Sequence, residues 1–191
     1  CRLIVRHSDD AGHTWSERQV ITDERRSDGE TMDCWNCPKI QQLKDGRILL
    51  LCETYDFPPG EWGVEDKARI FFWFSDDDGE TFSERVATDV RGICPDQVTE
   101  TVDGRWLLPT NIRNSDNQVV QAITESLDQG KTWSAPLVIY NDAELDEVSI
   151  ITLPGGELVA YERQDSGRPL QKMISKDLGK TWNGPFATLN P

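Results

Sequence analysis

Short apolar runs alternate with polar turns along the whole chain, at the spacing of β-strands. Leu3-Ile4-Val5, Ile70-Phe71-Phe72-Trp73-Phe74, Val119-Val120-Gln121-Ala122-Ile123 and Met173-Ile174 are runs of β-forming residues. Each precedes the same kind of polar box: Ser8 to Trp15, Ser75 to Phe82, Ser126 to Trp133 and Ser175 to Trp182 all read S-x-D-x-G-x-T followed by Trp or Phe. The copies recur at spacings of about fifty to seventy residues, the mark of a repeat fold. No helical period of useful length interrupts them.

One box is expected to be a tight corner between two strands. The carboxylates of Asp10, Asp77, Asp128 and Asp177 can accept backbone N–H groups of their own turn. The glycine supplies a positive φ at little steric cost, and the aromatic ring can pack beneath the loop. A residue repeated four times is a poor candidate for a unique reactive group, so these aspartates are read as structural.

Between boxes the chain repeats strand, turn, strand, strand, box, strand. The turns are Asp45-Gly46, Asp103-Gly104 and Gly155-Gly156, of the kind that closes hairpins. Residues 1–22 are expected to form half a unit, and 34–90, 94–142 and 146–191 a full unit each. Polar stretches at 23–33 and at Asp56 to Lys67 read as loops. Four antiparallel strands per unit is the grammar of a β-propeller blade. The expectation is therefore an all-β propeller seen as about three and a half blades, where a closed one has about 4–8. The opening Cys1-Arg2-Leu3 lies inside a strand and without a Met. The reading is a fragment of a larger propeller; chains that complete one another by self-association through exposed β edges are the alternative.

Composition narrows the partners. Acidic residues number 34 against 20 basic ones, giving a formal net charge of −14. That argues against a general nucleic-acid binder, and any anion site must be built from local arginines. No apolar run approaches the ~20 residues of a membrane helix. Of the five cysteines, Cys34 and Cys37 have C-x-x-C spacing, but a zinc site would need two further ligands. All five are read as small buried hydrophobes.

Aligning the units on the second turn glycine shows where they differ. Cys37, Pro95 and Glu147 share one place on the first strands, and Glu53, Asn111 and Arg163 share one on the second strands. Both places fall at the end of the strands remote from the boxes. This variable rim would hold Trp35, Asn36, Asp96, Gln97, Glu147 and Ser149 from first strands. From second strands it would hold Glu53, Asp56, Asn111, Arg113, Glu162 and Arg163. Carboxylates, amides and arginines converging on one face suit a sugar.

The boxes are Asp-boxes, and four of them across the chain resemble the sialidases (neuraminidases) of the BNR Asp-box repeat class. The segment Asp146 to Leu158, running on to Tyr161-Glu162-Arg163, is similar to the sialidase segment in which a Glu opens one strand and an Arg closes the next. The resemblance implies a six-bladed propeller and a retaining exo-α-sialidase-type glycoside hydrolase acting on sialic acid or another glycan, without cofactor or metal. Glu147 would be the catalytic carboxylate that activates a tyrosine nucleophile. Arg163 would be one of three arginines gripping the sugar carboxylate, with Arg113, Asp96, Trp35 and Glu53 as further substrate-binding residues. The choice of groups has a physical reason: Arg offers a fixed fork of donors to a carboxylate. A neutral tyrosine escapes the repulsion between two carboxylates but needs a nearby base.

The family's first arginine and its acid/base Asp would precede residue 1. Its third arginine and its Tyr would follow residue 191. None of Tyr55, Tyr140 and Tyr161 falls in the place the pattern demands, so this stretch alone is expected to be inactive. A non-catalytic glycan- or protein-binding propeller, a hydrolase of a different sugar, and an ion pair between Glu147 and Arg163 that merely bridges two strands stand as alternatives. An extracellular or periplasmic location rests on the resemblance alone.

Overall fold

The computed structural model of the chain describes residues 2–23, 34–55, 68–94, 96–140, 145–164 and 169–188. The expected loops at 23–33 and Asp56 to Lys67 lie almost wholly outside these residues. Among the described residues all regular structure is β, and there is no helix. A two-stranded sheet joins β1 (Arg2–Val5) to β2 (Gln19–Asp23). Three four-stranded sheets follow, each a meander in chain order. The first holds β3 (Cys34–Gln42), β4 (Ile48–Tyr55), β5 (Arg69–Ser75) and β6 (Val86–Arg91). The second holds β7 (Thr99–Glu100), β8 (Trp106–Arg113), β9 (Val119–Ser126) and β10 (Leu137–Tyr140). The third holds β11 (Leu145–Thr152), β12 (Leu158–Gln164), β13 (Gln171–Ser175) and β14 (Asn183–Ala187). Every pairing is antiparallel.

The expected strand from Gln97 to Val102 is only two residues long in the structure. Its ladder is split: Thr99 and Glu100 face Leu107 and Trp106, while Ile93 makes a separate bridge to Asn111. Of the described residues between, Asp96 bonds to the next sheet, whereas the Cys94 and Val98 carbonyls accept from Lys39 and Gln41 of the preceding one.

Alternation along the second strands builds the core. Leu49 and Leu51 turn one way with Ile70 and Phe72 of their own sheet and pack with Trp106 and Leu108 of the following sheet. Leu50 and Cys52 turn the other way and pack with Leu3, Phe71 and Trp73. Leu107 repeats the first pattern one sheet later, against Val148, Ile150, Leu158 and Ala160. Each full sheet is thus apolar on the face it turns to its predecessor. Complete burial of a side chain such as Phe72 or Leu158 contributes about 1.5–3 kcal/mol.

The boxes are four copies of one corner. Asp10 Oδ1 accepts bonds from Ser8 Oγ at 2.8 Å and Thr14 N at 2.8 Å, and Oδ2 accepts from Thr14 Oγ1 at 2.6 Å. Asp77, Asp128 and Asp177 repeat the pattern. The residue before the glycine is also left-handed, with φ of 59° at Ala11, 57° at Asp78, 58° at Gln129 and 61° at Leu178. Two successive positive-φ residues make the reversal tight. The indole N–H of Trp15, Trp133 and Trp182 closes each loop on the glycine carbonyl at 3.1 Å. Neighbouring sheets are tied at this end by turn arginines. Arg47 reaches Gln129 Oε1, and Arg105 reaches the Leu178 carbonyl.

Candidate functional site

The strand register places the variable rim opposite the corners. Leu158 lies beside Ser175, where the fourth box begins, whereas Glu162 lies beside Gln171. Five residues separate Leu158 from Arg163, about 16 Å of extended chain. Two first strands break their register at the matching place, β3 between Asn36 and Lys39 and β11 between Leu145 and Val148. Bulges re-aim side chains and often lie beside sites. Here one carries Cys37, at a φ of 45°, and the other carries Glu147.

Glu147 and Arg163 meet at this rim. Arg163 Nη1 donates to Glu147 Oε2 at 2.8 Å, with the two side chains 47% and 46% exposed. An ion pair so open to water contributes only about 0.2–1 kcal/mol to stability. Asp96 joins them from the second sheet: its carboxylate accepts the Ser149 hydroxyl and the Ile150 amide of β11. Asp96 therefore ties the segment before β7 to the strand that carries Glu147. Arg113, half-buried, donates to the Asn117 carbonyl across the β8–β9 hairpin, and nothing described joins it to the pair.

Two of the expected substrate-binding residues are turned inward. The Trp35 ring is 9% exposed and sits edge-on to Phe71 and Trp73 in the layer beneath β1 and β2. It is a core side chain and offers no open ring face to a sugar. Glu53 is fully buried. Lys39 Nζ lies 3.5 Å from its Oε2 while also donating to the Cys94 carbonyl, and Asn36 Nδ2 lies 3.4 Å from Oε1. Burial pushes the Glu53 carboxyl up to about 7, against the opposing pull of Lys39.

One neighbour went unselected by sequence reasoning. Cys37 is exposed, unlike the buried Cys52 and Cys94, so the uniform reading of the cysteines fails there. Burial raises its thiol, and the charges of Glu53 and Glu147 add to this; the thiol thus lies within their field. Its alignment with Glu147 was the available signal. Burial likewise raises the thiols of Cys52 and Cys94, which makes both inert. Cys1 and the Cys34 side chain lie outside the described residues. Glu162, which the sequence places on the open rim, is instead fully buried one residue before Arg163. Among the described residues no group of His, Cys, Asp and Glu is placed to hold a metal ion.

The sequence pattern of the BNR repeat-like domain family matches residues 2–191. The chain belongs to this family. No curated protein matches it by sequence. Among solved structures, a Hadza microbial sialidase superposes with a TM-score of 0.74 at 21% identity, over 97% of this chain and 40% of that one. A protein of unknown function from Dyadobacter fermentans gives 0.69 at 24% identity, over 95% and 57%. The leech intramolecular trans-sialidase, complexed with 2,7-anhydro-Neu5Ac, gives 0.69 at 14%, over 96% and 46%. The chain thus spans between two fifths and three fifths of the length of these structures. Likeness at such identities shows the fold, that of the sialidase propeller, built here from four-stranded antiparallel sheets.

Proposed function

We propose that the rim carrying Glu147 and Arg163 recognises sialic acid as part of a sialidase-like, retaining glycoside hydrolase. The observation that carries this reading is the exposed 2.8 Å contact between Glu147 and Arg163. Sialic acid differs from most sugars by its own carboxylate, and Arg163 is the rim cation placed to take it. The incoming carboxylate would replace Glu147 on the guanidinium. Glu147 would then be released beside the bound sugar, to accept the proton of a tyrosine nucleophile. One ion-pair exchange would so couple binding to activation of the base. The nucleophile and the acid of the reaction are not assigned among the described residues.

Calorimetric titration of the chain with 3′-sialyllactose and with lactose tests the reading. The sialylated sugar should bind and lactose should not. Arg163→Lys, which keeps the charge but loses the fork, should weaken binding about tenfold. In a form of the protein that turns over sialosides, Glu147→Gln should abolish cleavage and leave binding in place. Equal affinity for both sugars contradicts the assignment; binding that never leads to cleavage makes the rim that of a glycan-binding propeller.

A further inference from the structure

Glu162 is a fully buried carboxyl group, and neither of its oxygens has a hydrogen-bond partner among the described residues. Glu53, the other buried carboxyl at this end, has Lys39 and Asn36. A buried polar group without partners is costly, and a buried charge without them far more so. Glu162 is therefore either a misfit or a group with a task, and its position favours a task.

On β12 it shares a face with Leu158 and Ala160, which pack into the layer against the second sheet. On that sheet the matching faces carry Asn111, two pleats beyond Leu107, and Gln121, one pleat beyond Ile123; both are buried and they pair in register. β11 presents Val148 and Ile150 to the same layer, and β13 presents Met173 and Gln171. Arg113 follows Asn111 on the same face of β8 at the edge of the layer, and Asp96 reaches β11 from outside it through Ser149 and Ile150. The groups about Glu162 are thus apolar side chains and neutral amides. Its register partner Val148 adjoins the bulge in β11, the least regular point of the strand that carries Glu147. Arg163 follows Glu162 directly and turns to the opposite face.

We propose that Glu162 is a proton-holding positioning residue beneath the rim: as a neutral acid it keeps β11 and β12 in the register that joins Glu147 to Arg163, and loss of its proton loosens that pair. The proposal rests on reading the rim as the ligand face. When the proton leaves to solvent, the carboxylate must find donors. Those within the layer are the Asn111, Gln121 and Gln171 amides and any water that enters. Recruiting them moves β12 against the second sheet, with the bulge as the point that yields. Burial, with no opposing charge, pushes the carboxyl up to about 7, so this exchange falls in the neutral range.

Carbon-13 carboxyl NMR of the labelled chain tests the proposal. The Glu162 signal, identified by its loss in Glu162→Gln, should titrate with a midpoint near 7. The Arg163 Nε–H signal should move with that midpoint in the wild type and stay still across the same range in the variant. Glu53 titrates in this range too, and its signal persists in Glu162→Gln. A Glu162 midpoint at the ordinary 4–5 overturns the proposal, as does an Arg163 signal that ignores the titration. Should the variant not fold, wild-type signals assigned through the backbone decide the same question. Affinity for 3′-sialyllactose should fall about tenfold at pH 8, one unit beyond the midpoint, and should not fall in Glu162→Gln. Failure to bind that sugar at any pH counts against the rim's proposed ligand, while the two NMR midpoints still decide the role of Glu162.

Discussion

The two ends of these sheets use the same chemical group in opposite ways. At the corners, four aspartates stand near water and are bonded by their own loops. The Thr and Ser hydroxyls and the Thr amide hold Asp10, Asp128 and Asp177 down to about 2, and Asp77 is lowered by the same bonds. At the rim, Glu53 and Glu162 are buried with few partners or none, and both are pushed up to about 7. A corner is complete in eight consecutive residues, from Ser126 to Trp133 for example. It can be copied from sheet to sheet without regard to its surroundings. A rim residue depends on what the next sheet presents, as Lys39 depends on the Cys94 carbonyl and Asp96 on Ser149. That dependence lets every sheet differ there, which is where a unique site can arise.

The two pH dependences have opposite signs. Asp10, Asp128 and Asp177, with folded values below 3.8, stabilise the chain above the unfolded value and lose this as pH falls through about 2. Glu53 and Glu162, raised above 4.5, stabilise fully below that value and lose it as pH rises through about 7.

The sharpest way to break the comparison is steric. A methyl group at Gly130 would sit 2.9 Å from the Trp106 ring and 3.1 Å from Phe72, at a φ of +84°. Gly130→Ala should cost about 3–4 kcal/mol in urea unfolding, with an Ala at the open turn Gly104 costing only the φ strain of about 1 kcal/mol. A middle-sized effect is expected at the rim. Lys39→Met removes the cation beside Glu53 and should cost about 2 kcal/mol at pH 8. At pH 5 Glu53 is protonated and the cost should be smaller; a pH-independent cost would show that Lys39 acts through packing alone. The smallest effect is at one corner among four. Asp128→Asn should flatten the acid limb of thermal stability below pH 4 and leave the alkaline limb unchanged. A change on the alkaline side would mean that corners and rim are not separate.

The same division explains what could be read in advance. Corners, hairpins and the order of strands were legible because each is a local pattern, and so was the alignment that sets Glu147 near Arg163. The inward turn of Trp35 and Glu53 was not. It depends on the bulge between Asn36 and Lys39 and on partners 55 residues away, such as the Cys94 carbonyl that Lys39 reaches. The two-residue length of β7 was hidden for a similar reason: the segment before it bonds to β11 of the next sheet through Asp96.

The central claim is that ligand chemistry belongs to the rim and architecture to the corners. Backbone amide NMR of the chain titrated with 3′-sialyllactose tests it most directly. The account predicts shifts at Cys37, Asp96, Glu147, Ser149 and Arg163, with the amides of Thr14, Thr81, Thr132 and Thr181 unmoved. Shifts concentrated at those four threonines, with a silent rim, would contradict it.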